Sequence, residues 1–209
     1  MHYFIYSTAD SWFTSGSKYA GVSSSNAQQN FGQDEILEVK KEFIDNSLQY
    51  QSRAVVNFKG TDLTNLSSSI ADGTITNPTF KLRLYEAQGV SAMSTDYKLA
   101  ALAVSESWDE GIGKFGDSPA TTIGCSWLNR SNTSTTDGSG ETEWGTAGGS
   151  VYAESGSTQT FSYESPDVNM DISDMVKGWF SGSLETNAGL LLRFSGSQET
   201  DSTTTGKLK

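Results

Sequence analysis

A single cysteine, a single histidine and three prolines are all that 209 residues contain of these types. Each scarcity excludes something. Cys125 alone can form neither an intrachain disulfide nor a cysteine zinc site; beside Trp127 in an apolar stretch it reads as a buried small hydrophobe. His2, next to Met1, is a poor place for a Ser/His or Cys/His nucleophilic device. No P-loop, nucleotide fingerprint or histidine metal motif occurs. Paired carboxylates, the device of glycosidases, are the one catalytic option that composition leaves open. Together the absences favour a protein that is not an enzyme. With so few prolines no rigid linker is present, and no composition break divides the chain.

Charge is also sparse and one-sided. Fourteen Lys and Arg stand against 25 Asp and Glu, a formal net charge of −11. Such a chain repels phosphates, and its densest basic pair, Lys40-Lys41, is flanked by Glu38 and Glu42. Nucleic acid is not an expected partner. No apolar run approaches the ~20 residues of a membrane helix, so membrane insertion is not expected. The N-terminus lacks the basic and apolar regions of a signal peptide, which points to synthesis in a reducing cytoplasm.

What is abundant is Ser, Thr and Gly around short strand signals. Phe80-Lys81-Leu82-Arg83-Leu84-Tyr85 alternates with the period of a half-buried strand. Ile36 to Val39, Arg53 to Phe58, Tyr97 to Val104, Thr160 to Tyr163 and Val168 to Ile172 read as further strands. Gly189 to Phe194 is nearly all apolar, as a central strand covered on both faces should be. One short amphipathic helix is predicted, with Ser173 as N-cap, Asp174 in the first turn, Met175, Val176, Trp179 and Phe180 on one face, and Gly182 ending it. Ser15 to Asn30 and Asn129 to Ser157 read as polar loops, the second with room for weak strands near Val151-Tyr152. Many short strands with few helices predict an all-β fold: an antiparallel β-sandwich of jelly-roll type, residues 1–209 as a single domain.

The order of the segments carries a resemblance. Asp10-Ser11-Trp12, Asn30-Phe31-Gly32, Leu37-Glu38-Val39 and Ser52 to Phe58 come first. Leu82 to Tyr85, Val104 to Gly111 and Gly124 to Trp127 follow, and Met170 to Trp179 and Asn187 to Arg193 close the series. This resembles the DNRLRE jelly-roll domains, relatives of carbohydrate-binding modules. Trp108 to Asp117 and Arg193 to Asp201 look more closely like virion structural proteins of contractile-tailed marine phages, of the cyanophage kind. The family pattern implies a further stretch after Lys209, so the chain is expected to stop at the start of a closing strand.

Candidate contacts follow. Trp12, Trp108, Trp127 and Trp179 sit inside the motifs and read as core, with sugar stacking as the alternative. Trp144, in a polar loop beside Glu141 and Glu143, is the candidate for an exposed ligand contact. Arg53, Arg83 and Arg193 either capture an acidic sugar or pair with Asp171, Glu106 or Asp109. Asp109 and Asp171 are candidate ligands of a structural calcium ion, the only cofactor expected. The resemblance implies a non-catalytic virion protein: a tail, neck or fibre-associated decoration, made in the host cytoplasm and assembled as oligomers with other virion proteins. The alternative is a carbohydrate-binding module that attaches to host surface polysaccharide.

Overall fold

Extended chain forms where β-branched and aromatic residues cluster. In the computed structural model, residues 2–16, 26–44, 47–85, 87, 97–135, 139–161, 167–185, 188–200 and 206–208 are described. Ser23 to Ser25, Ser162, Tyr163, Asn187 and Asp201, on which the sequence reading drew, lie outside them. In chain order the elements are β1 (Ser7–Thr14), β2 (Val39–Ile44), β3 (Ser47–Phe58), α1 (Gly60–Ala71), β4 (Lys81–Tyr85) and β5 (Tyr97–Ala103). Then come β6 (Asn129–Asn132), β7 (Glu141–Glu143), β8 (Ser157–Phe161), β9 (Asp167–Asp171), α2 (Ser173–Ser181), β10 (Leu190–Phe194), α3 (Ser197–Thr200) and β11 (Gly206–Leu208).

Among the described residues all pairing is antiparallel. Seven strands form one large sheet, in the order β11-β2-β3-β10-β5-β8, with β1 also on β3. Strands β4 and β9 form a second layer, and β6 and β7 a small hairpin. The sandwich expected from the sequence is present, with three α-helices among the described residues in place of the single one predicted. At the C-terminal end, where a closing strand was expected only to begin, β11 pairs with β2.

The large sheet is covered on both faces, which explains its nearly continuous apolar strands. Leu190, Leu192 and Phe194 of β10 face one cluster, with Trp12, Val56, Leu99 and Ala101. Strands β4 and β9 and helix α2 close that side through Leu82, Val168, Met170, Ile172, Met175 and Trp179. Leu191 faces the other way, into a second cluster with Phe13, Val55, Trp108, Cys125 and Trp144, which the 104–151 segment covers.

Register fixes where things lie. Trp12, Ala54, Leu192, Ala101 and Ser157 form one row across β1, β3, β10, β5 and β8. Four interstrand spacings put Trp12 and Ser157 roughly 19 Å apart. At the β8 edge the two layers meet through a side chain. The Gln159 amide donates to the Asp167 carbonyl (2.9 Å) and accepts the Asn169 N–H (2.7 Å), as a neighbouring strand would. Helix α2 starts one residue earlier than a Ser173 N-cap implies. Ile172 is the N-cap residue, and the Ser173 hydroxyl accepts the Phe80 N–H (2.9 Å), tying β4 to the helix. Gly182 ends α2 in the left-handed conformation (φ 73°), as expected.

Candidate functional site

A cleft of about 610 Å³ opens beside the β8 edge, on the side of the first cluster. One wall runs from Tyr152 to Ser157; the other is the end of β9 and helix α2, with Asp171, Asp174 and Gly178. Each wall is anchored. The Val104–Val151 bridge and the Tyr152 N–H, donated to the Ala103 carbonyl (2.9 Å), hold the first against β5. The Ser155 hydroxyl stiffens the turn by donating to the Tyr152 carbonyl (2.7 Å) and accepting the Ala103 N–H (3.0 Å). Behind both walls, Ile172, Met175 and Leu184 supply apolar surface continuous with the first cluster.

The polar groups that line the cleft are hydroxyls and carboxylates: Tyr152, Ser155, Ser157, Ser183, Glu154, Asp171 and Asp174. Asp171 accepts the Ser173 N–H (2.9 Å). Hydrogen bonding from Ser173, helped by the charges of Lys81 and Lys177, holds its carboxyl below the usual carboxylate range. It therefore stays an anion and an acceptor, the opposite of the raised carboxyl a general acid needs at neutral pH. Asp174 meets Lys177 at 3.7 Å on the exposed side of α2. An aromatic ring, an apolar floor and convergent acceptors and hydroxyls are what binds a hydroxyl-rich ligand.

The residues singled out from sequence fall elsewhere, with one exception. Trp144, expected as an exposed contact, is 5% exposed in the second cluster, and its indole N–H donates to the Ser126 carbonyl (2.9 Å). The polar loop around it folds as the β6–β7 hairpin, which turns this one apolar side chain inward. Trp12, Trp108 and Trp179 are core, as expected. Trp127 is half-buried with the Arg53 guanidinium 4.8 Å over its ring.

Asp171 is the exception, since it lines the cleft. Asp109 lies on the opposite side of the large sheet, where its N–H donates to the Arg130 carbonyl (3.0 Å) and its carboxylate accepts the Ser131 hydroxyl. The fold does not bring the two candidate calcium ligands together. Among the described residues no group of three or more His, Cys, Asp or Glu is placed to hold a metal.

The arginines also find a partner other than those expected. Arg53 chelates the buried Glu199 (2.7 and 3.0 Å), and Arg193 reaches the same carboxylate at 2.8 Å. Arg83 lies over the ring of its own strand neighbour Tyr85, at 5.9 Å. Sequence reasoning missed Tyr152 and Ser155 as site residues. The only signal was an aromatic set among small polar residues, a pattern that also marks ordinary loops.

Among the described residues no helix is long and apolar enough to cross a membrane. Residues 5–135 match the sequence profile of carbohydrate-binding module family 96, a span of more than half the chain. That span holds β1 to β6, while the cleft is lined by residues beyond it. No curated protein matches the chain.

Proposed function

The chain belongs to carbohydrate-binding module family 96, and from that premise we propose that it binds polysaccharide without cleaving it, seating a sugar in the cleft between Tyr152 and α2. The observation that carries the assignment is a cleft in which the half-buried Tyr152 stands with hydroxyls and the ionised Asp171 around an apolar floor. A pyranose offers both an apolar face for a ring and hydroxyls for acceptors. The net charge of −11 argues for a neutral glycan over an acidic one.

Affinity electrophoresis through gels holding soluble β-glucan, mannan or xylan tests this. The wild type should be retarded in at least one gel, and Tyr152→Ala should weaken that retention by about tenfold, roughly 1.4 kcal/mol. A wild type that runs unretarded in every gel would sink the proposal.

A second proposal concerns location. The phrases Trp108 to Asp117 and Arg193 to Asp201 support a place on a phage particle, where glycan binding would serve attachment. Immunogold labelling of intact particles at one regular position is the expected result. Unlabelled particles with accessible antigen would remove it.

A further inference from the structure

The cleft does not end at Asp171. That residue lines it and is also the last residue of β9, where it pairs across to Lys81. From there the outer face of the β4–β9 layer runs on as an open strip. Alternation along both strands puts Leu82, Val168 and Met170 inward and leaves Lys81, Arg83 and Tyr85 of β4 facing out with Asp171, Asn169 and Asp167 of β9. The register pairs them as Lys81 with Asp171, Arg83 with Asn169 and Tyr85 with Asp167. Tyr85 is at the far end from the cleft, 72% exposed, with the Arg83 guanidinium 5.9 Å from its ring centroid. Lys81 and Tyr85 lie four residue steps apart along the strand, about 14 Å.

We infer that this strip is a continuation of the binding site, and that the ligand is a linear polysaccharide engaged along several consecutive sugars. The inference rests on the polysaccharide reading above. Three features carry it. The strip is continuous with the cleft through one shared residue. Its two cations and two carboxylates cancel, so in a strongly acidic protein it presents no net repulsion to a neutral chain and offers donors and acceptors side by side. Its far end bears an aromatic ring on a regular strand, whose backbone is held by pairing to β9. A chain long enough to reach Tyr85 from the cleft gains a second contact at high effective concentration.

Neutral oligosaccharide ladders of two to six units, from β-glucan, mannan and xylan, are titrated calorimetrically into the wild type, Tyr85→Ala, Tyr85→Phe and Tyr152→Ala. Wild-type affinity should rise from disaccharide to hexasaccharide in the ladder that binds. Tyr85→Ala should cut hexasaccharide affinity about five- to tenfold and leave the shortest binding unit unchanged. Tyr85→Phe should retain the gain, and Tyr152→Ala should weaken every length. Equal wild-type affinity at all lengths, or an unaltered hexasaccharide affinity in Tyr85→Ala, would overturn the inference while leaving the cleft assignment standing. No binding by the wild type at any length would overturn both.

Discussion

Asn30 shows how much one side chain can hold. Fully buried, it donates to the carbonyls of Glu110 (2.7 Å) and Cys125 (2.8 Å) and accepts the N–H groups of Gly32 (3.1 Å) and Gly113 (2.8 Å). The glycines around it are needed for room: a Cβ at Gly111 (φ 86°) would lie 2.4 Å from the Asn30 amide oxygen. Asn30→Ala leaves four polar groups unpaired, each costly when buried. The expected loss is about 3 kcal/mol, or ~6–12 °C in Tm by calorimetry; a change under 2 °C would refute the hub role. Cys125 is equally buried, and burial pushes its thiol up to about 12. A thiol reagent at pH 8 should leave the native protein unlabelled and label it once denatured. Asp10 is half-buried, and burial, then the nearby Glu110 carboxylate, raises its carboxyl above the ordinary value. The folded state thus holds that proton more tightly than the unfolded one. Its stabilising contribution is present at acid pH and is lost as pH rises through the raised folded value. Asp10→Asn should therefore gain stability relative to wild type on going from acid to neutral pH. A difference independent of pH, by denaturant titration, would contradict this.

At the scale of elements, α3 is held by charge where its four residues could not hold themselves. Glu199 sits between Arg53 and Arg193, the Gln51 amide donates to its carbonyl (3.0 Å), and the buried Lys41 ammonium donates to the Gln198 carbonyl. Glu199→Gln removes the counterion of two arginines and should cost about 3 kcal/mol, seen as a lower denaturation midpoint. An unchanged midpoint would show that solvent compensates the arginines. Strands β4 and β9 and helix α2 were legible because their side chains alternate or lie on one helical face, and β5 and β10 because their runs are nearly all apolar. β1 was not, because Trp12 enters one cluster and Phe13 the other, and both faces buried erase alternation. Helix α1 hid its Leu63 and Leu66 stripe among serines and threonines, poor helix formers that here leave the buried pair to secure the helix. The hairpin that buries Trp144 is set by pairing between Asn129 and Glu143, residues that local polarity marks as loop.

For the whole molecule, the large sheet is the fixed frame and its two covers differ in use. The 104–151 segment seals one face around Trp108, Cys125 and Trp144. The β4–β9 layer and α2 seal the other and, at its β8 edge, leave the cleft. The fold class was readable because many weak strand signals agree. The cleft was not, because its walls, Tyr152 to Ser157 and Asp171 to Gly178, lie apart in sequence and are brought together where β8 and β9 meet at Gln159. Residue-resolved NMR during titration with the best-retained glycan tests that assembly most directly. The account predicts the largest shifts at Tyr152, Ser155, Asp171 and Asp174. Shifts confined to the β6–β7 hairpin or to β1, with these four unmoved, would contradict it.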